Sequence, residues 1–298
     1  MAERYVVFGA TGHVGGIVAG RLLDAGKRVK AVARTADRLK ALTARGAEAA
    51  TGSIDDPAFL RRTLEDAEAA FALLPPYMGQ GIRAFQDRAT AALGDALEAA
   101  RVPHSVALSS IGADRPSGNG PIAGLHVLEQ RLDQIPNHSP LHLRAGYFFE
   151  NHLGWIGMVK GMGLVGSALD ANLALAQIAT RDLGEAAARR LLALDWKGRA
   201  IQELQGERDL TMAEAAGIIG RAIGKPELKY VQFPYPDALQ GMVKMGLPRE
   251  MAELYVDMAK GFNEGVARPT QPRSAATTTP TSFERWVAEV FVPAFEAG

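Results

Sequence analysis

Residues 5–16 read YVVFGATGHVGG, an apolar stretch that runs into glycines at positions 9, 12 and 15. Small residues let the backbone turn sharply and approach a phosphate closely, and the amides that open the following helix favour an anion. Apolar residues then recur at helical spacing, and residues 28–33 form a second apolar strand. This β–α–β unit predicts a site for the pyrophosphate of a dinucleotide. The alternative is a glycine turn that only joins a strand to a helix.

The whole loop between this strand and helix is expected to contact the cofactor. Its residues are Gly9, Ala10, Thr11, Gly12, His13, Val14 and Gly15. For His13 two orientations stay open, because a side chain in such a loop either touches the pyrophosphate or points to water.

Arginines follow the second strand at the place where an NAD site would carry an acidic residue. In this type of fold an Asp or Glu about twenty residues beyond the glycines holds the ribose 2′-hydroxyl. Here the strand ends at Arg34, and Arg38 follows one turn later. Guanidinium groups favour the 2′-phosphate of NADP. We therefore expect NADP, with NAD as the alternative cofactor; the other interpretation of both arginines is a solvated surface.

Composition limits the partners. The 33 Lys and Arg residues balance 33 Asp and Glu residues, so no broad basic surface indicates nucleic acid or an anionic membrane. The absence of cysteine excludes disulfides, thiolate catalysis and cysteine-ligated zinc. The sequence shows no signal peptide and no apolar run of about eighteen residues. We expect a cytoplasmic protein that acts on a small molecule and binds no metal, nucleic acid or membrane. The sequence leaves the oligomeric state open, with a homodimer as one alternative.

Strands and helices alternate through the first half of the chain. This order predicts an α/β fold with a Rossmann-type, doubly wound parallel sheet, whose ligand lies at the carboxyl ends of the strands. The expected strand ends are Gly9, Arg34, Gly52, Leu74, Ser109 and Gly146.

In the second half of the sequence, helix-capping patterns and composition indicate where helices and loops lie. Thr211 with Glu214, and Thr281 with Glu284, predict capping boxes at two helix starts. Residues 242–262 have helical apolar spacing, and the segment 267–281 is a loop rich in Pro, Ser and Thr.

Several strings resemble the NmrA-like branch of the atypical short-chain dehydrogenases. They are GATGHVGG from Gly9, ALLPP over 72–76, ALSSIGA over 107–113, GLHVLEQRL over 124–132 and LRAGYFFEN over 143–151, with further similarity over 181–192, 203–225 and 283–295. The resemblance implies an NAD(P)-binding Rossmann domain over 1–150, with a return strand near 199–206, and a smaller, mainly helical domain over 151–298. It also implies a cleft between them. Family members include quinone and azo-compound reductases, and regulators that bind the cofactor without catalysis.

The catalytic tyrosine and lysine of the wider superfamily are absent. The aligned positions are Ile122 and His126. Without the tyrosine, the localised charge of an alkoxide lacks a matched proton donor, whereas a quinone spreads the charge over its ring. We expect direct hydride transfer from NAD(P)H to a quinone-like or conjugated acceptor. The alternative is a non-catalytic, NADP-binding redox sensor.

The resemblance also indicates residues around the reacting centre. His126, with Glu129 on the same helical face, is expected to bond the nicotinamide ribose or relay a proton; alternatively it is a structural histidine satisfied by Glu129 or the backbone. Tyr147 is the second catalytic candidate. Further cofactor contacts are expected at Leu74, Pro75, Ser109, His126 and Gly146, and substrate contacts at Tyr77, Met78, Tyr147 and Asn151. The neighbouring Phe148, Phe149 and Trp155 fit either a pocket wall or an ordinary core.

Overall fold

The computed structural model describes residues 4–297. Residues 1–3 and 298, which belong to the predicted domain ranges 1–150 and 151–298, lie outside the described residues. The strands are β1 (Arg4–Val7), β2 (Arg28–Ala33), β3 (Glu48–Thr51), β4 (Ala69–Ala72), β5 (His104–Ser110), β6 (Ser139–Ala145), β7 (Tyr147–Phe148), β8 (Val165–Ser167), β9 (Leu175–Ile178), β10 (Ala200–Leu204), β11 (Asp209–Leu210) and β12 (Tyr230–Gln232).

Helices connect and cover these strands. They are α1 (His13–Asp24), α2 (Lys40–Thr43), α3 (Pro57–Leu64), α4 (Ile82–Ala99), α5 (Ile122–Asp133), α6 (Trp155–Met162), α7 (Thr180–Ala193), α8 (Met212–Ala222), α9 (Tyr235–Lys244), α10 (Arg249–Asn263), α11 (Phe283–Trp286) and α12 (Val292–Ala297). Short 3₁₀ turns lie at Ala36–Leu39 and Phe149–Gly154. Within residues 4–297, no helix combines the length and the apolar character that crossing a bilayer requires.

Seven parallel strands form the central sheet, in the order β3-β2-β1-β4-β5-β6-β10. The order reverses between β1 and β4, because the chain moves outward from β1 to β3 and then crosses back. In such sheets the ligand crevice lies at the carboxyl ends of the strands, at this reversal. The predicted Rossmann-type fold is confirmed. The edge strand β10 lies where the return strand is predicted, near 199–206.

Both faces of this sheet are covered, which explains why its first strand is apolar throughout. Tyr5 and Val7 of β1 pack into the core that includes α1 and α7, whereas Val6 and Phe8 pack into the core that includes α3, α4 and α5. The helix α7 belongs to the second half of the sequence but lies against α1. A Cβ atom added to Gly184 of α7 would come within 2.8 Å of Ile17 Cβ.

A second lobe follows the sheet, built from β7–β9, β11, β12, α6 and α8–α12. Its core centres on aromatic side chains that surround His152, which is fully buried. The His152 ring centroid lies 4.4 Å from that of Trp155 and 5.1 Å from that of Phe283. Its Nε2 lies 2.9 Å from the side-chain oxygen of Gln177. This cluster ties the 3₁₀ turn after β7 to the last helices of the chain.

The two predicted capping boxes have different outcomes. Thr211 and Glu214 form the reciprocal capping box at the start of α8. The prediction for Thr281 and Glu284 is wrong, since the side chain of Ser282 caps α11 by accepting from the Arg285 amide. The Thr281 hydroxyl instead donates to the buried carboxylate of Asp182 at 2.7 Å. A buried carboxylate from α7 thus replaces the local partner that sequence spacing indicates.

The helical spacing over residues 242–262 falls on two helices, α9 and α10. Between them Gly246 adopts a φ of +94°, and Pro248 immediately precedes α10. A left-handed glycine ends one helix, and a proline is compatible only with the start of the next. The apolar spacing continues through the break because both helices present apolar faces to the second-lobe core.

Protonation of His152 should set part of the pH dependence of stability. Burial lowers the pKa of His152 from 6.5 to about 4, although the hydrogen bond to Gln177 acts in the opposite direction. Between these values the unfolded chain binds a proton that the folded chain does not, so stability falls as the pH is lowered. We expect His152 to account for a loss of about 3 kcal/mol between pH 7 and pH 4.

Urea unfolding of the wild type and of His152→Gln at several pH values measures this contribution. The difference in unfolding free energy between the two proteins should shift against the wild type by about that amount as the pH falls. A difference that stays constant with pH would contradict the assignment.

Candidate functional site

The phosphate loop joins β1 to α1 beside the sheet reversal. Gly9 has a φ of +63°, a conformation that favours glycine, and Gly12 precedes α1 without a side-chain cap. The first amides of α1 have no carbonyl partner inside the helix, so they are available to an anion. Of the other predicted loop residues, Ala10 and Val14 are buried, Thr11 is half-buried and His13 is exposed.

Gly15 determines how closely α1 approaches this loop. A Cβ atom at Gly15 would lie 2.3 Å from the carbonyl oxygen of Gly9, far inside contact distance. At the next residue, Gly16, a Cβ atom would meet the Ala10 carbonyl oxygen at 3.4 Å, an ordinary contact. The close approach of helix and loop therefore requires glycine at position 15 and tolerates a methyl group at position 16.

Two exposed arginines lie beyond the carboxyl end of β2. Arg34 follows the strand directly, and Arg38 lies in the 3₁₀ turn Ala36–Leu39. Within residues 4–297 neither side chain has an ion-pair or hydrogen-bond partner. In doubly wound folds this strand end lies near the adenosine ribose. Because neither guanidinium group has a partner among the described residues, both are free to bind a phosphate there.

Ser109, a predicted cofactor contact at the end of β5, belongs to a buried charge network. Its hydroxyl donates to Glu129 Oε1 at 2.5 Å. The Arg144 guanidinium donates to both carboxylate oxygens of Glu129, at 3.0 and 2.6 Å. All three side chains are buried. Because burying an unpaired charge is costly, this bidentate pair holds α5 against the ends of β5 and β6.

His126 lies one turn before Glu129 on α5 and is half-buried. Its Nδ1 is 2.8 Å from the carbonyl oxygen of Ala113. A carbonyl can only accept, so Nδ1 carries a proton, and Nε2 of the neutral ring is an acceptor. The structural partner of His126 is therefore the backbone, because Glu129 binds Ser109 and Arg144 instead. Ile122, at the aligned tyrosine position, is buried.

A cavity of about 230 Å³ opens beyond the carboxyl ends of β5 and β6. Ile111 and Gly146 line it from the ends of the sheet strands, and the residues from the second lobe include Tyr147, Leu173, Leu175 and Phe262. Gly146 permits β9 to approach, because a Cβ atom there would lie 2.5 Å from the carbonyl oxygen of Ala176. Burial raises the pKa of the Tyr147 phenol above its ordinary value. Tyr147 therefore stays protonated and can donate a hydrogen bond.

The other predicted substrate residues do not line this cavity. The Tyr77 ring stacks on Phe85 of α4, with the ring centroids 4.2 Å apart. Met78 is 56% exposed, and Asn151 is exposed on the turn after β7. Leu74 and Pro75 are half-buried just beyond β4.

Two of the three neighbouring aromatic residues, Phe149 and Trp155, belong to the core and not to a pocket wall. Phe149 and Trp155 are buried in the second-lobe core, whereas Phe148 is half-buried against the core that contains α1 and α7. Phe149 and Trp155 therefore contribute stability and form no wall of the cavity.

Residues 267–281, which we term the strap, run from the region after α10 to α11. Glu203 of β10 is fully buried and anchors the strap. It accepts hydrogen bonds from the amides of Thr270 and Gln271, both at 2.9 Å, and from the Thr270 hydroxyl at 2.7 Å. Just before this anchor, Ala267, Arg268 and Pro269 line the cavity.

Of the residues that line the cavity, the sequence patterns indicate Gly146 and Tyr147 but not Ile111, Phe262 or Arg268. The composition of segment 267–281 predicts a loop, yet no local pattern indicates which strand it crosses. The position of this segment depends on a tertiary contact, because the buried Glu203 carboxylate on β10 accepts hydrogen bonds from its backbone amides. Only the folded chain brings these residues together.

The model of the NmrA-like family matches residues 1–286. A (4-alkanoyl-5-oxo-2,5-dihydrofuran-3-yl)methyl phosphate reductase from Streptomyces griseus is 28% identical over 286 residues, which cover 95% of this chain and 96% of that protein. An NAD(P)H azoreductase from Xenophilus azovorans is 28% identical over 267 residues, which cover 88% of this chain and 89% of that protein.

A solved structure shares the fold. It is the NADPH-dependent quinone oxidoreductase from Escherichia coli complexed with NADPH, with a TM-score of 0.81 and 23% identity. The match covers 96% of this chain and 99% of that chain.

Proposed function

The chain belongs to the NmrA-like family, and we propose that it is an NAD(P)H-dependent reductase that passes hydride directly to a quinone-like or other conjugated acceptor. The phosphate loop carries the proposal, because Gly15 brings the uncapped start of α1 onto the carbonyl of Gly9. The two curated relatives, both named as reductases, align with 95% and 88% of the chain. Their names support a reductase over a purely structural use of the fold.

The proposed cofactor is NADP, with NAD as the alternative. The residues of the phosphate loop would hold the pyrophosphate, and the unpaired Arg34 and Arg38 would hold the 2′-phosphate. Four residues at the ends of β4, β5 and β6 would contact the other half of the cofactor: Leu74, Pro75, Ser109 and Gly146. Bound NADPH would supply the hydride. The crystallised Escherichia coli quinone oxidoreductase, which contains NADPH in the same fold, supports this choice.

A conjugated acceptor fits the side chains around the reacting centre. Ile122 leaves no phenol at the position where short-chain dehydrogenases protonate an alkoxide. An acceptor that delocalises the incoming charge makes a smaller demand on a proton donor. The cavity of about 230 Å³ lies below the roughly 300–1,000 Å³ typical of ligand pockets. A compact ring therefore suits it, and Tyr77, Met78 and Asn151 would contact parts of the acceptor that extend outside.

Tyr147 and His126 have distinct proposed roles. The Tyr147 phenol, kept protonated by burial, would donate a hydrogen bond to the acceptor oxygen on which charge accumulates. His126, whose Nδ1 proton is held by Ala113, would accept a hydrogen bond from a ribose hydroxyl through Nε2. In this arrangement Tyr147 acts on the reacting acceptor, and His126 acts on cofactor binding.

Steady-state oxidation of NADPH tests the proposed activity. The purified protein should consume NADPH in the presence of a one-ring or two-ring quinone and leave a simple ketone of similar size unreduced. Because Arg34 and Arg38 favour the 2′-phosphate, NADH should give a lower kcat/KM than NADPH. Reduction of ketones but not quinones would contradict the proposed acceptor. Tight NADP binding without turnover of any acceptor would instead indicate a redox sensor.

Substitutions at the two candidate residues should separate their roles. Tyr147→Phe should lower kcat for the quinone by about 100-fold, since loss of a donor to a developing oxyanion typically costs that much. His126→Ala should mainly raise KM for NADPH. Tyr235→Phe is the matched control, because the Tyr235 hydroxyl accepts from Asn263 away from the cavity. An unchanged kcat in Tyr147→Phe, or unchanged kinetics in His126→Ala, would remove the corresponding role.

A further inference from the structure

The charge distribution around the cavity points to a property of the acceptor beyond its ring. Most of the residues that line the cavity are apolar or glycine, and its charged residues are Asp209 and Arg268. The two differ in their partners. Asp209 forms an ion pair with Arg273 of the strap, so its charge is compensated. Within the part of the chain that the structure describes, the guanidinium of Arg268 forms no ion pair or hydrogen bond.

The backbone that carries Arg268 is fixed on both sides. On one side, the amide of Ala267 donates to the carbonyl oxygen of Gly261 at the end of α10, at 2.9 Å. On the other, the amides of Thr270 and Gln271 bind the buried carboxylate of Glu203. An exposed arginine on a mobile loop would sample many positions. Here the two anchors fix the backbone of Arg268 at the edge of the cavity, so only its side chain has to be ordered when a ligand binds.

We propose that Arg268 binds an anionic substituent of the acceptor, such as a carboxylate, sulfonate or phosphate group. This inference rests on the proposed reductase function and specifies its substrate class. The apolar wall takes the flat conjugated ring, and the oxyanion projects toward the exposed guanidinium, whose planar donors suit bidentate binding. The Tyr147 phenol is neutral, so it does not oppose the anion. Arg268 would thus select among conjugated acceptors by charge.

A pair of acceptors that differ in one charge tests this selection: 1,4-naphthoquinone and its 2-sulfonate. The measured quantity is the ratio of kcat/KM for the sulfonate to kcat/KM for the neutral quinone. Comparing this ratio between proteins removes the intrinsic reactivity of each compound. In Arg268→Gln the ratio should fall at least about tenfold relative to the wild type, as expected for the loss of a charge-assisted hydrogen bond. Arg268→Lys should give an intermediate ratio.

Arg221→Gln is the matched control for the loss of one positive charge. Arg221 is exposed on α8 and does not line the cavity. The ratio of the two kcat/KM values in Arg221→Gln should therefore equal that of the wild type. An equal ratio in wild type and Arg268→Gln would overturn the assignment of Arg268, as would an equal fall in both variants.

A protein without reductase activity would give a result that differs from a wrong assignment of Arg268. If the wild type turns over neither quinone, calorimetry of the NADP⁺-saturated protein with the sulfonate still tests Arg268. Binding to the wild type that weakens about tenfold in Arg268→Gln would support the anion site in a protein without reductase activity. Binding of equal strength to both proteins, or no binding, would overturn it.

Discussion

The close contact between Gly15 and the carbonyl of Gly9 is the constraint on which the rest of the site depends. It seats the start of α1 directly on the end of β1, where the strand order reverses. Free helix amides then open into the crevice at the carboxyl ends of the strands. The same edge of the sheet carries Arg34 on one side of the reversal and Ser109 and Gly146 on the other. One backbone contact thereby aligns a phosphate site with a row of strand ends.

The second lobe converts that edge into a bounded cavity. Glu203 on the edge strand holds the strap through backbone amides, and the strap contributes Ala267 and Arg268 to the same cavity that Tyr147 lines. A buried carboxylate is stable here because several donors satisfy it. The charge network of Glu129 and Arg144 anchors α5 in a similar way. Buried polar groups therefore hold both α5 and the strap, and the strap borders a small, mostly apolar space that suits a flat ligand.

Local patterns in the sequence predict the parts of the fold that local chemistry determines. The apolar strand and glycine loop, the capping box at Thr211 and the alternation that builds the sheet all depend on residues close in sequence. Thr281 shows the limit, because the distant Asp182 competes successfully for its hydroxyl. The position of Arg268 was not predictable for the same reason: it depends on Glu203, more than sixty residues away. For Tyr147 and His126, spacing indicates the strand end and the helix face, whereas their partners come from tertiary structure.

Calorimetric titration of NADP⁺ into the wild type, Gly15→Ala and Gly16→Ala tests the central claim most directly. The wild type and Gly16→Ala should bind with similar affinity, whereas Gly15→Ala should bind at least about tenfold more weakly, because its methyl group forces α1 away from the loop. Circular dichroism of the three proteins verifies that each is folded. The account is contradicted if the folded wild type binds neither NADP⁺ nor NAD⁺, or if Gly15→Ala, once folded, binds as tightly as the wild type.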